Sequence, residues 1–196
     1  MEQKLFMLLL GCKPKGRNTE QHDIFFGIGT TLKDLIGDIK KSWAEAKGNI
    51  HIDAWREVNC VDGYSIQVEE IAAAREINNP AKKENELFFI NLGGYKENEF
   101  DEFHYRLLVV ADSLDKAKNI AKKTSFFKHI TLASTVNHPA ATSHIDDKYG
   151  IDVDDLYAVE DILPVHIKAK YKIIISSNAS CKEDGYHLGY SRIVDL

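Results

Sequence analysis

The chain has 196 residues, 44% of them hydrophobic, with a formal charge of −5 and a sequence pI near 5.9. That acidity leaves no basic footprint for duplex nucleic acid, and no apolar run approaches the length of a membrane-spanning helix. Three cysteines, Cys12, Cys60 and Cys181, lie far apart in no C-x-x-C spacing, which argues against a disulfide framework and against a cysteine-rich zinc site.

The opening Met1-Glu2-Gln3-Lys4 precedes six apolar residues, too few and too acidic a start for a secretory leader, so the expected location is cytoplasmic. Residues 5–10 are continuously apolar and stop at Gly11, which predicts a buried strand. Cys12 to Thr19, with Pro14, Gly16 and Asn18, reads as a loop, and 24–28 as a second strand. Thr31 is placed to cap a helix on which Leu32, Leu35, Ile36, Ile39 and Trp43 recur at helical spacing, ending at Gly48-Asn49. Residues 50–58 and 63–68 predict two further strands around the turn residues Asp62-Gly63. The charged stretch 69–86, with Asn78-Asn79-Pro80, reads as a linker with some helix.

The second half follows the same order. Strands are predicted at 87–92 and 104–110, separated by a loop at 93–101. Ser113 caps a helix marked by Leu114, Ala117, Ile120 and Ala121, and weaker strand patterns lie near 145–153 and 157–159. Pro164 closes this half. The tail offers strands at 171–176 and 187–194, a hairpin suited to covering a sheet edge.

The two halves also share residues. Leu5-Phe6, Leu10-Gly11 and Glu20-Gln21-His22 return 82 positions on as Leu87-Phe88, Leu92-Gly93 and Glu102-Phe103-His104. His51-Ile52-Asp53 returns 93 positions on as His144-Ile145-Asp146, which implies an insertion near 124–143. The fold expectation is therefore α+β: a tandem duplication of a β-β-α-β-β unit, with mainly antiparallel sheets and a C-terminal β-hairpin. The expected boundaries are 1–70 for the first repeat, 71–85 for a linker, 86–164 for the second repeat and 165–196 for the hairpin extension. One helix covers one face of each sheet, so the other face must meet water, the second copy or a partner.

Leu5-Phe6 running to Gly11, the segment from Asn18 to Asp23, His51-Ile52-Asp53-Ala54-Trp55 and the ending Gly185-Tyr186-His187-Leu188-Gly189-Tyr190 resemble an uncharacterised bacterial family. It is catalogued as a domain of unknown function, present in one or two copies per chain. The resemblance implies a duplicated domain and brings no activity, cofactor or catalytic residue with it.

The residues themselves offer two candidate sites. Alternation in the third strand sends Ile50, Ile52 and Ala54 to the helix-covered face and His51 with Asp53 to the other. In the second half Phe103, Tyr105, Leu107 and Val109 form the apolar face, which turns Glu102, His104 and Arg106 away from it. The candidate cluster is thus Glu20, His22, His51 and Asp53, with a partner set Glu102, His104, His144 and Asp146. Glu20 and His22 share parity with Ile24, Phe26 and Ile28, which leaves three alternatives open: a bulge that switches faces, a partly apolar pocket, or a motif in the loop before the strand. If four such side chains converge, they suit a divalent ion such as zinc, manganese or iron, or an oriented general base; as isolated pairs they only pin strand ends. No residue is assigned as a metal ligand, and the cofactor stays open.

The second candidate is an anion site at Lys13, Lys15 and Arg17, in a loop that fails the nucleotide P-loop pattern because Arg17-Asn18 stands where Lys and Ser/Thr are needed. Cys12, beside Lys13, is a candidate for a depressed thiol pKa. The functional expectation is a soluble cytosolic binding or interaction protein that uses its open sheet faces or the groove between repeats. Its partner would be a small molecule or a protein, with no nucleic acid and no membrane, and a homo-oligomer is compatible. The alternative is a hydrolase with a His/carboxylate site, with or without a metal.

Overall fold

The computed structural model describes residues 2–71, 84–95, 100–123 and 151–196. The chain divides into two units, Met1–Ala81 with Glu160–Leu196, and Lys82–Val159. The expected linker and the expected insertion lie largely outside the described residues, as do His144 and Asp146.

Unit 1 begins with β1 (Lys4–Cys12) and β2 (Gln21–Gly29). A 3-10 turn, Leu32–Leu35, runs into α1 (Ile36–Ser42), and a second turn, Ala44–Ala46, follows. Then come β3 (His51–Glu57), β4 (Cys60–Val61) and β5 (Tyr64–Glu70). Unit 2 holds β6 (Glu86–Tyr95), β7 (Glu102–Ala111), α2 (Leu114–Ala121) and β8 (Ile151–Ala158). The chain then passes α3 (Val159–Ile162), α4 (Val165–Lys168), β9 (Tyr171–Ser177) and β10 (His187–Arg192).

The strand orders are β10-β3-β1-β2 and β4-β5-β9 in unit 1, and β7-β6-β8 in unit 2. Every pairing is antiparallel, in an α+β fold. The C-terminal extension is a strand–loop–strand as expected, but its two strands are shared out: β9 bonds to β5 and β10 to β3, so each closes an edge of a different sheet. In the second half, the strand expected at 157–159 is the end of the single strand β8 and the start of α3.

Alternation along β1 builds the first core. Phe6, Leu8, Leu10 and Cys12 point to one face and meet Phe25, Ile52, Leu35, Ile39 and Ile193. Each such fully buried aliphatic or aromatic side chain contributes roughly 1.5–3 kcal/mol. The opposite face is not open along its length: Leu5, Met7, Phe26 and Ile28 are buried too. In unit 2, Phe88, Ile90, Leu92, Val109 and Ala111 pack against Ala117 and Ala121 of α2, with Leu107 at their edge; Tyr105, expected on the same apolar face, is 42% exposed.

Two short-range signals act as read. Asp62 and Gly63 have φ of 52° and 78°, the left-handed pair of a two-residue type I′ hairpin between Val61 and Tyr64. At the helix start, the Asp34 carboxylate accepts hydrogen bonds from Thr30 Oγ1 (2.7 Å) and from the amides of Thr30 and Thr31 (2.9 Å each). The Thr30 hydroxyl bond, then the Thr31 amide, hold the Asp34 carboxyl below its ordinary range. Asp34→Ala is expected to cost roughly 1 kcal/mol in urea unfolding. Because the folded-state value is the depressed one, the advantage of wild type over Asp34→Asn is present above about pH 4 and fades as the pH falls through the folded value. An advantage that grows on acidification would contradict this.

Candidate functional site

β1 does not stop at Gly11 but runs through it to Cys12, and Gly11 pairs with His22 of β2 on one side and His51 of β3 on the other. Three strands therefore bring two histidines level with each other across a glycine. β3 carries a register shift: Leu10 pairs with Ile52 and Leu9 with Ala54, so Asp53 is the extra residue of a bulge. The bulge is what lets His51 and Asp53 reach the same place. It also overturns the expected orientation of Ala54: beyond the bulge the alternation is inverted, and Trp55 is the residue that packs on the helix-side core. The parity conflict between Glu20-His22 and the apolar Phe26 and Ile28 resolves here. His22 does share their face, β1 and β2 pair without a shift, and the bulge lies in β3.

The four side chains converge. His22 Nε2 lies 3.3 Å from Asp53 Oδ2 and 3.7 Å from Glu20 Oε2. His51 Nε2 lies 3.2 Å from Glu20 Oε1 and 3.3 Å from Asp53 Oδ1. Each carboxylate thus faces both imidazoles, one oxygen to each, in a closed ring of alternating base and acid. The ring is graded in exposure, from 11% for the His51 side chain to 45% for Glu20, so it opens toward solvent on the β2 side. Asp53 Oδ2 is a buried oxygen that, among the described residues, has the His22 ion pair but no hydrogen bond. The space around it exists because residue 11 has no side chain: a Cβ there would overlap His51 Nε2 and Asp53 Oδ2. Tyr190, from β10, lies over the His51 ring with centroids 4.5 Å apart, and His187 stacks on Trp55 at 3.9 Å.

Unit 2 has a second arrangement of the same kind. β8 shifts register between Leu92 and Asn91, which makes Asp154 the bulge residue, and Asp152 pairs with Gly93 where His51 pairs with Gly11. His104 Nε2 lies 3.3 Å from Asp154 Oδ2, and Glu102, His104 and Asp154 each offer one ligand atom within 4.8 Å of the others. A Cβ on Gly93 would overlap the Asp154 carboxylate. Sequence reasoning placed Glu102 and His104 but missed Asp154. The signal for it is Asp152-Val153-Asp154, an alternating polar pair on the strand that follows the helix.

Other candidates fall differently. Lys15 and Arg17 line a cleft beside His22, whereas Lys13 is exposed and not among its lining residues. Cys12 is buried, and burial first, then the negative charge of Glu20, push its thiol pKa up rather than down, so it has no nucleophile's environment. His166 pairs with Asp38 at 3.1 Å, between α4 and α1.

A ring of two imidazoles and two carboxylates can trap a cation or share protons. The side-chain-free cradle at Gly11 and a donor set of two nitrogens, from His22 and His51, and carboxylate oxygens, from Glu20 and Asp53, suit a borderline divalent ion, while among the described residues three ligand atoms all within 4.8 Å of one another occur in unit 2, on Glu102, His104 and Asp154. No curated protein matches the chain. Among solved structures, the crystal structure of protein Il1583 from Idiomarina loihiensis is similar, with a TM-score of 0.63 at 21% identity over 98% of each chain, a likeness of fold. Residues 17–68, the stretch that carries Glu20, His22, His51 and Asp53, match the family model described as Domain of Unknown Function (DUF1543).

Proposed function

We propose that this is a binding protein whose first unit holds one divalent transition-metal ion on His22, His51, Glu20 and Asp53. The carrying observation is the closed ring at 3.2–3.7 Å built around a glycine. Two carboxylates and two imidazoles meeting at one place supply the oxygen and nitrogen donors that a borderline dication takes. When bound, such an ion supplies Lewis acidity and an acidified water. The protein's own part is to fix the imidazoles from two different strands and to shield His51 with Tyr190. The matching bulge, glycine and His/carboxylate placement in unit 2 supports descent of both units from one duplicated domain.

Purified protein, stripped with chelator and titrated with Mn²⁺ or Zn²⁺, is expected to bind metal and to melt higher. A ligand at 100 times its Kd adds about 2.7 kcal/mol to the folded state. His22→Ala is expected to lose that increment while keeping the fold, since the His22 side chain is exposed. The absence of any metal-dependent shift in wild type would eliminate the reading.

A further inference from the structure

We infer that the cleft beside this ring is the pocket of a small organic phosphate monoester, an inference that rests on the metal reading of the ring. The cleft is open to solvent and offers about 760 Å³, room for a ligand of metabolite size. Its cations come from two separate elements: Lys15 and Arg17 from the loop after β1, and Lys47 from the turn after α1. His22 is shared, lining the cleft and forming part of the ring, so a ligand seated in the cleft lies beside the ring. Trp43 supplies an aromatic wall for the ester's organic part.

Two further observations point the same way. Lys47 stands at φ 50°, ψ 36°, the left-handed position that closes the turn and that glycine would occupy without strain. A long cationic side chain thus stands at a left-handed backbone position directly at the cleft. The cleft also contains Asp23 and Glu45, but Asp23 is engaged by the Ile24 amide at 2.7 Å. Three cations against two carboxylates leave the lining with a positive balance that suits an anion. The ring's own carboxylates oppose an anion until a dication neutralises them, so metal and phosphate should strengthen each other's binding reciprocally.

The test is calorimetric titration of the whole chain with phenyl phosphate, inorganic phosphate and phenol, with and without Mn²⁺. Phenyl phosphate is expected to bind the Mn²⁺-loaded protein at least tenfold more tightly than phenol or the chelated protein's phenyl phosphate complex. Inorganic phosphate alone binding as well as the ester would overturn the assignment to an ester. Lys47→Gly and the pair Lys15→Ala with Arg17→Ala are expected to weaken phenyl phosphate at least tenfold with metal binding unchanged. Lys47→Gly is further expected to melt no lower than wild type, which separates lost charge from lost fold. Metal binding intact with phenyl phosphate affinity unchanged in these variants overturns the inference alone. Charge-dependent phosphate binding in a protein that takes no metal overturns the ring reading and supports the cleft.

Discussion

Gly11→Ala is expected to abolish metal binding by unit 1 while leaving its sheets assembled. The backbone at Gly11 is ordinary strand, outside the positive-φ region that only glycine favours, so alanine costs nothing in conformation. The cost is steric. The new Cβ would occupy the space of His51 Nε2 and Asp53 Oδ2, so both ligand tips must shift, and His51, 8% exposed, has little room to do so. Forcing a methyl into such a site costs roughly 1–3 kcal/mol. Displacing two of four ligands should lower metal affinity by on the order of 100-fold or more, since loss of a ligand's mere orienting partner costs up to that. Gly37→Ala is the control: a Cβ there meets nothing within 4 Å and sits in α1, so it is expected to stabilise by up to about 1 kcal/mol. Circular dichroism, thermal melting and metal stoichiometry on the two variants decide the matter. A Gly11→Ala protein that binds metal as wild type does would show that the space above Gly11 is not the site.

The parts of this site that were legible in the sequence are those set by local chemistry. The apolar run of β1, the Asp62-Gly63 hairpin, the Thr31 helix start and the alternation that turns His51 away from Ile52 all follow from short-range rules. The Glu20-x-His22 and His51-x-Asp53 spacings then nominate a cluster that the fold does bring together. What stayed hidden depends on pairing between distant strands. A bulge has no sequence signature of its own, so the switch of face after Asp53 and the role of Asp154 emerge only from register. The same holds for the glycines. Gly11 and Gly93 read as strand ends because glycine is a poor strand former, yet both lie within strands, where their missing side chains make room for a neighbour's carboxylate. The destination of the tail, β9 to one sheet and β10 to another, is likewise a long-range fact.

Reduction of the protein is expected to destabilise unit 1 severely. Contrary to the reading from cysteine spacing, Cys60 and Cys181 form a disulfide, with Cα atoms 6.0 Å apart and a sequence separation of 121. Spacing could not reveal it because the partners meet only through the β5–β9 pairing. Closing a loop of that length removes unfolded-state entropy worth about 4–5 kcal/mol in the chain-entropy picture, a large share of a typical domain's stability. The bond does not act alone: the Asp184 carboxylate accepts from the Asn59 amide at 2.6 Å, Asn59 Nδ2 at 2.8 Å and the Cys60 amide at 3.1 Å, anchoring the same loop to the same strand. That loop delivers β10, and with it Tyr190 over His51 and His187 on Trp55. Cys60→Ala with Cys181→Ala should therefore lower the urea midpoint strongly and also weaken metal retention, because the cover over His51 loses its tether. Alkylation under denaturing, non-reducing conditions should label one thiol of three, that of Cys12. Three labels would mean that the pair is not bonded. One label would show the Cys60–Cys181 bond in the purified protein, a bond that oxidising surroundings sustain.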